Sequence, residues 1–243
     1  MKIAICLKGH MRNMAVYNSI LLLRQHHTVD VYIQTYSEIG TKSGIQGRMF
    51  PKKGTILPNS GTVDVSLVEK LFSPKKLEIE NYEDVEPCLD ELTEKYFYNW
   101  MPRDSVYPNT ILSQIRQRAL CIDLIDDSYD YVIVTRPDVE FIFKNPNISI
   151  EENCVGITVT TKPMYEHADG GIWFDDLVLV GTQSTMKNIS SFYYNLETVM
   201  NDLQSNNYIG IAKCMHQIQS YAFQKHCNLK LIGCDGLFSN VSF

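Results

Sequence analysis

The sequence predicts an α/β fold, a single-domain sandwich in which helices flank a mixed, mainly parallel central sheet. Three observations predict it. Short apolar runs rich in β-branched and aromatic residues alternate with helical segments through the first half of the chain. The first three elements are strand, helix and strand at the spacing of a βαβ unit, whose two strands run parallel. The 243 residues, 44% of them hydrophobic, are enough to bury one large core.

The predicted elements of the first half follow the chain as strand 3–7, helix 12–26, strand 29–36, helix 65–72, strand 76–80, helix 86–98, helix 111–125 and strand 131–135. The helix at 12–26 is expected to turn an apolar stripe of Met14, Ile20, Leu21 and Leu23 toward the core. Asn109 is expected to cap the helix at 111–125, because an Asn side chain accepts a hydrogen bond from a first helical turn.

The second half mixes strands and helices less regularly. Its predicted elements are strand 140–143, strand 155–160, extended runs at 172–174 and 177–180, helix 185–203, helix 210–226 and strand 229–232. The sequence contains no internal repeat and no low-complexity segment, and a chain of 243 residues fits one large domain better than two average ones.

Composition excludes several classes of protein. The chain has 22 Lys and Arg against 28 Asp and Glu, a net charge of −6, which argues against a nucleic-acid-binding protein. Seven widely spaced Cys without a Cys-x-x-Cys pair predict reduced, buried thiols rather than a zinc site. No run approaches the ~20 apolar residues that a membrane helix needs. A soluble cytoplasmic protein without a transmembrane segment is expected, with peripheral association at a membrane-bound acceptor left open.

An acidic motif follows the apolar strand at 131–135. Asp138 and Glu140 stand one residue apart, so that a strand ending there can aim both carboxylates at one cation. Such pairs hold Mg²⁺ or Mn²⁺ whose coordination is completed by phosphate oxygens. Arg136 is expected to orient the acids or to neutralise a phosphate. The alternative is structural: a turn-forming Asp that makes a simple ion pair with Arg136.

Two further groups of polar residues follow strands. Gly9 and Arg12 come after the first strand, where backbone could approach a phosphate and the arginine could bind it; an ordinary turn with a surface Arg is the alternative. Asp169, Asp175 and Asp176 precede the run at 177–180, and one of them is a candidate general base for an acceptor hydroxyl.

The helix at 111–125 carries two basic residues, Arg116 and Arg118. They could face a nucleotide, but a solvated face is the expectation for charges on a helix.

Four motifs together resemble the nucleotide-sugar-dependent glycosyltransferases of the GT-A fold, especially small bacterial and large-virus enzymes that build surface glycans. They are the first strand with its Gly-x-x-Arg-Asn turn at 3–13, the Asp-Val-Tyr-Ile strand within 29–36, the Tyr-Asp run into Arg-Pro-Asp at 129–141, and the late acidic strand at 175–181. The resemblance spans residues 1 to about 190. It implies a GT-A-like, Rossmann-like sandwich with a nucleotide-binding half at about 1–143 and an acceptor-side half at about 144–243.

The resemblance also implies roles for the singled-out residues. Asp138 and Glu140 would form the Asp-x-Asp metal motif, with Glu in place of the second Asp, and would hold Mn²⁺ or Mg²⁺. Leu7, Gly9, Arg12 and Arg136 would lie near a UDP- or GDP-linked sugar.

On the acceptor side, Asp175, Asp176 or Asp169 would face the hydroxyl of a glycan or glycoconjugate. Transfer of a hexosyl or pentosyl group follows as the expected activity, with the choice of sugar made by loops at 37–61 and 160–171. Two rival functions stay open: a sugar-phosphate nucleotidyltransferase, which uses the same metal chemistry, and a non-catalytic glycan-binding module on the same fold.

Overall fold

The computed structural model describes residues 1–11, 13–39, 61–97, 108–158, 177–206, 215–233 and 237–242. At 97, 108–111, 215–217, 233 and 239–242 it describes the main chain only. The strands in these ranges are β1 (Lys2–Lys8), β2 (Thr28–Tyr36), β3 (Lys76–Glu80), β4 (Tyr131–Thr135), β5 (Glu140–Phe143), β6 (Cys154–Ile157), β7 (Val178–Gly181), β8 (Lys230–Gly233) and β9 (Phe238–Ser242). The helices are α1 (Val16–Arg24), α2 (Val65–Phe72), α3 (Tyr82–Phe97), α4 (Pro108–Asp123), α5 (Gln183–Tyr194), α6 (Leu196–Ser205) and α7 (Met215–Lys225).

Seven of the strands form one sheet in the order β3-β2-β1-β4-β7-β6-β8. Strands β1 to β4 pair in parallel, β7 runs antiparallel to both β4 and β6, and β6 pairs in parallel with β8. The predicted fold class, a mixed and mainly parallel sheet flanked by helices, is therefore confirmed. Six of the seven strands end at the same side of the sheet, which is called the carboxyl edge below.

The core lies on both faces of this sheet. Along β1 the side chains alternate: Ile3, Ile5 and Leu7 pack with α1 and α2, whereas Ala4 and Cys6 pack with the helices from α3 to α7. A strand that is buried on both faces has a continuous run of apolar residues instead of alternating apolar and polar ones. This is why β1 and β4 were predicted from apolar runs.

The centre of the sheet is expected to be the most sensitive part of the core. Ile133 on β4 is fully buried between β1 and β7, so Ile133→Ala should lower the free energy of unfolding by about 2–5 kcal/mol. Urea denaturation measures this loss. Leu22→Ala, at an exposed position of α1, is the matched control and should change stability by about 0.5 kcal/mol or less. Equal losses at the two positions would contradict the described core.

Helix α1 differs from its prediction in its start and in its apolar stripe. It begins at Val16, and its buried face carries Val16, Ile20 and Leu23. Leu21, expected in the core, is 41% exposed. Residues 16, 20 and 23 keep the helical spacing of one face, whereas position 21 is turned about 100° from position 20. The expectation for Leu21 was therefore wrong.

Further helix boundaries also differ from expectation. α4 already begins at Pro108, so Asn109 lies inside the first turn rather than at the cap; Pro suits this position because its missing N–H has no partner there anyway. The single helix predicted over 185–203 is two helices, α5 and α6, that meet at Asn195. The Asn195 side chain donates to the Ser191 carbonyl at 2.9 Å, and such local bonds favour helix ends.

Most of the described thiols match their prediction. Four cysteines are buried and free: Cys6, Cys121, Cys154 and Cys227. Burial raises the pKa of the Cys6 thiol, which keeps it protonated and unreactive. Cys88 on α3 is exposed, contrary to expectation. A membrane-crossing helix is absent from the described part of the chain, where every helix is too short or too polar for one.

Candidate functional site

The strand order reverses between β1 and β4. From β1 the chain proceeds outward through β2 to β3, and it then returns to the other side of β1 as β4. The last residues paired between these two strands are Leu7 and Thr135. In open α/β sheets, ligands bind in the crevice outside the carboxyl ends of strands at such a switch point. The residues that follow Leu7 and Thr135 therefore stand where a ligand is expected.

Gly9 lies directly after β1 and has a backbone φ of +102°, in the left-handed region that glycine alone adopts readily. Its N–H donates to the Gln34 carbonyl of β2 at 3.2 Å. A Cβ added at Gly9 would find Gln117 Oε1 at 3.9 Å, an ordinary contact, so the backbone conformation rather than space requires glycine here. The sequence-predicted turn at Gly9 thus has a conformational cause.

Gly9→Ala is expected to strain this turn. A non-glycine residue in such a conformation costs about 1–3 kcal/mol, so the variant should melt earlier than the parent. Gly181→Ala makes a useful comparison, because its added Cβ would meet Cys154, Met186 and Thr185 atoms at 3.3 Å, far from the switch point and without a positive φ. Thermal melts of both variants compare the cost of the strained backbone with the cost of the tight Cβ contacts; an unchanged melting temperature in Gly9→Ala would contradict the strain at Gly9.

Of the two other residues that were expected near a nucleotide, Leu7 lies in the described part of the chain. The Leu7 side chain is fully buried on the face of the sheet that packs with α1. The main-chain carbonyl of Leu7 accepts a hydrogen bond from the Cys121 thiol at 3.4 Å. Contact between Leu7 and a nucleotide would therefore involve its main chain. Arg12 lies outside the described residues.

Arg136 and Asp138 form a two-pronged ion pair in the turn after β4. Arg136 Nε donates to Asp138 Oδ1 at 2.9 Å, and Nη2 donates to Oδ2 at 2.7 Å. The Asp138 side chain is only 5% exposed, whereas that of Arg136 is 25% exposed. The ion pair that the sequence left open as an alternative is present. It does not exclude a ligand role, because each carboxylate oxygen has a second lone pair.

The turn itself is fixed by its neighbours. The Val139 N–H donates to the Arg136 carbonyl at 3.2 Å, and the Pro137 carbonyl accepts the N–H of Val16 at the start of α1 at 3.1 Å. On the other side, Thr135 Oγ1 donates to the Leu177 carbonyl at 2.8 Å. The Asp138 carboxylate is thus held on a rigid support between α1 and the start of β7.

Glu140, the second acid of the motif, is the first residue of β5 and is half-buried. Asn18 Nδ2 of α1 donates to its Oε1 at 3.2 Å. Within the described ranges, no three His, Cys, Asp or Glu side chains are grouped so that they could hold a metal. A cation at this site would therefore depend on Asp138, with Glu140 as a second carboxylate, and on phosphate oxygens. Mg²⁺ and Mn²⁺ are commonly bound with so few protein ligands when a phosphate is present, so the residues fit such an ion.

The three acids predicted on the acceptor side, Asp169, Asp175 and Asp176, fall in a part of the chain that the structure does not describe. Its two flanking residues are described. The Thr158 N–H, just after β6, donates to the Val178 carbonyl at 3.3 Å, and Leu177 accepts from Thr135 as described above. The chain therefore leaves and re-enters the sheet at the carboxyl edge, beside the end of β4.

A network that the sequence did not reveal lies at the end of β3. Arg116 of α4 donates to both Glu80 oxygens, at 2.5 and 2.7 Å, and Gln34 Nε2 donates to Glu80 Oε2 at 2.9 Å. Hydrogen bonding to Glu80 raises the pKa of the Arg116 guanidinium. Arg118 is 2% exposed and donates to Gln219 of α7 at 2.5 Å. The expected solvated face for Arg116 and Arg118 was therefore wrong.

His10 is a second residue of interest that sequence reasoning passed over. Its Nδ1 lies 2.9 Å from the Glu38 carbonyl, and since a carbonyl only accepts, Nδ1 carries the proton. The ring packs against Tyr36, whose hydroxyl is 2.6 Å from Ser113 of α4. Burial raises the pKa of Tyr36, so the hydroxyl stays protonated. The signal that could have found His10 is its place two residues after a strand, next to Gly9.

No protein-family model matches the sequence, and no curated protein matches it significantly. Among solved structures, the chain is similar to apo mouse xyloside xylosyltransferase 1, with 12% identity and a TM-score of 0.49, covering 96% of this chain and 84% of that one. It is also similar to the galactosyltransferase LgtC, solved in complex with donor and acceptor sugar analogues, with 14% identity and a TM-score of 0.41, covering 83% of this chain and 66% of that one. Similarities this distant say nothing about the donor, the metal or the acceptor of this chain. Both proteins are glycosyltransferases, the class that the sequence resembles.

Proposed function

We propose that this protein is a metal-dependent glycosyltransferase that moves a hexosyl or pentosyl group from a UDP- or GDP-linked sugar to a hydroxyl of a glycan or glycoconjugate. One observation carries the proposal: a positive-φ glycine and a rigid arginine–aspartate turn follow the two strands between which the sheet order reverses. This is the place where α/β sheets bind phosphate-bearing ligands. The glycine lets a ligand lie close to the main chain, and the turn offers charge of both signs.

The donor's diphosphate is the group that this arrangement suits best. Without a Cβ, Gly9 lets the main chain approach phosphate oxygens, and the main chain of Leu7 precedes it in the same strand end. Arg136, and in our proposal Arg12, add positive charge, because a guanidinium matches phosphate oxygens in a fork. These residues bind and orient the leaving group; they do not react.

The carboxylates of Asp138 and Glu140 are proposed to hold Mn²⁺ or Mg²⁺. When bound, the cation would neutralise charge that builds up on the departing diphosphate. Asp138 suits the task because it is buried and held on a fixed turn, so it loses little conformational entropy when it meets a ligand. Glu140 reaches from β5, where Asn18 holds it in the free protein.

The acceptor is proposed to be activated by one of the three acids on the segment between β6 and β7. In an inverting reaction, the oxygen of the acceptor hydroxyl bonds to the anomeric carbon. Asp175, Asp176 or Asp169 would take the proton of that hydroxyl. The bond from that carbon to the diphosphate oxygen breaks, and the nucleoside diphosphate leaves with the electron pair. A retaining reaction needs no such base. The support for this part is that the segment is anchored at Thr158 and Leu177, beside the end of β4.

A nucleotide-release assay tests the activity. Incubation with a set of UDP- and GDP-linked sugars and Mn²⁺ should release UDP or GDP slowly by hydrolysis, and faster when an acceptor glycan is added. A nucleotidyltransferase would instead consume a nucleoside triphosphate and a sugar phosphate and would release pyrophosphate. A binding module would bind a glycan and release nothing from any of these donors. Either of the last two results would contradict the proposed transfer.

A further inference from the structure

The geometry points to an exchange of partners at Arg136. We propose that its guanidinium holds the Asp138 carboxylate in the free protein, and that a nucleoside diphosphate draws the guanidinium to itself and opens the carboxylate to a divalent cation. The inference rests on the proposed function, since it concerns the same site. It goes further by stating the order of events and by making Arg136 a residue with two positions.

The contact between the two side chains occupies both oxygens of Asp138. Nε meets Oδ1 at 2.9 Å and Nη2 meets Oδ2 at 2.7 Å, the geometry of a complete fork. A cation that arrives at Asp138 in this state finds a positive guanidinium directly beside the carboxylate, and the two positive charges repel each other. The free protein is therefore poorly prepared for a cation alone.

Of the two partners, Arg136 is the one able to move. Asp138 is 5% exposed and lies on a turn that is fixed to α1 through the Pro137 carbonyl. Arg136 is 25% exposed, and its long side chain has several rotatable bonds between the backbone and the guanidinium. A swing of the arginine exchanges side-chain contacts, whereas a shift of the aspartate would also disturb main-chain hydrogen bonds of the turn.

A diphosphate is a suitable competitor for the guanidinium. The planar fork of arginine matches phosphate oxygens as well as carboxylate oxygens, so one charge-assisted contact is exchanged for another. After the exchange, the buried Asp138 carboxylate lacks the charge of its former partner. A buried carboxylate that loses a positive partner is costly, and a cation bound by both the carboxylate and the diphosphate offsets that cost. The two steps thus favour each other.

The consequence is a coupling between the two ligands. A nucleotide that favours the open position of Arg136 raises the affinity for the cation, and by linkage the cation raises the affinity for the nucleotide by the same factor. A nucleotide also coordinates the cation directly, so coupling in the parent protein alone does not isolate the arginine. The discriminating quantity is the affinity for the cation in the absence of nucleotide.

The test measures Mn²⁺ binding without nucleotide, from the loss of the free Mn²⁺ signal in electron paramagnetic resonance. We compare the parent with Arg136→Met, which keeps the unbranched apolar stem of the side chain but removes the charged guanidinium. Arg136→Met should bind Mn²⁺ about 5- to 150-fold more tightly than the parent, and Mn²⁺ should raise its melting temperature more. Arg136→Lys, which keeps the charge but loses the fork, should fall between the two. Glu151→Gln, at an exposed acid before β6 on the opposite edge, should match the parent.

The outcomes separate the inference from the function on which it rests. If Arg136→Met binds Mn²⁺ equally or more weakly than the parent, while the parent still binds Mn²⁺ together with UDP or GDP, the exchange is overturned and the metal site stands. If the parent binds no Mn²⁺ with either nucleotide, both are overturned. Should Arg136→Met fail to fold by circular dichroism, Arg136→Lys decides the matter: tighter binding than the parent supports the exchange, and equal or weaker binding overturns it.

Discussion

Asp138→Asn is expected to lower kcat/KM for sugar transfer by about 10²–10³-fold, the loss typical when a preorganised electrostatic contact to developing charge is removed. Asn has the size of Asp and still accepts a hydrogen bond from Arg136, but it carries no negative charge for a cation. The loss should appear together with loss of the Mn²⁺ dependence of nucleotide binding. Steady-state kinetics and Mn²⁺ titrations measure the two effects.

Stability must be controlled in this experiment, because Asp138 is buried and paired with Arg136. A hydrogen bond to a charged group contributes about 1.5–3 kcal/mol, so the variant is expected to melt somewhat earlier while remaining folded. Glu151→Gln is the matched control, since it removes one acid from the opposite edge of the sheet. If Asp138→Asn keeps the turnover and the Mn²⁺-dependent nucleotide binding of the parent, the assignment of Asp138 as a metal ligand is contradicted.

The second large effect is expected among the three acids of the segment between β6 and β7. If transfer inverts the anomeric centre, one of Asp169→Asn, Asp175→Asn and Asp176→Asn should lower kcat by about 10²–10⁴-fold, the range that general base catalysis contributes. The affinity for nucleotide should stay close to that of the parent, because a base acts on the acceptor. The other two substitutions should lower kcat far less.

Two measurements make that comparison decisive. Nucleotide affinity by calorimetry separates a lost base from a damaged donor site, and nuclear magnetic resonance of the product shows whether the anomeric configuration is inverted. An inverted product together with near-parent kcat in all three variants would contradict the proposed base. A retained configuration would remove the need for one and would predict small effects at all three positions.

The parts of the fold that the sequence predicted best are those specified by local pattern. Val65–Phe72, Lys76–Glu80 and Tyr131–Thr135 have the predicted bounds, because helical spacing or a β-rich run between turn residues defines each one. Strand β9 was missed. Its partner is β5, almost 100 residues earlier in the chain, and its register with Glu140–Phe143 depends on packing that no local window contains.

In the candidate site too, features set by nearby residues were predicted and features set by distant residues were not. The place of Asp138 just after a strand followed from the sequence. Its ion pair with Arg136 was one of two alternatives, because the two residues are only two positions apart in the chain. The pairing of Glu80 with Arg116 joins residues 36 positions apart and was not predicted. The burial of Arg118 depends on α7, which follows about 100 residues later in the chain. The local sequence therefore predicted a solvated basic face for a helix whose Arg118 is buried.

The proposed site requires that the carboxyl ends of β1 and β4 bind a nucleoside diphosphate together with a divalent cation. Isothermal titration calorimetry with UDP and with GDP, each in the presence and absence of Mn²⁺, measures this binding. We expect one of the two nucleotides to bind at a single site and much more tightly when Mn²⁺ is present, and we expect Asp138→Asn to remove this difference. No metal-dependent binding of either nucleotide to the folded parent protein would contradict it.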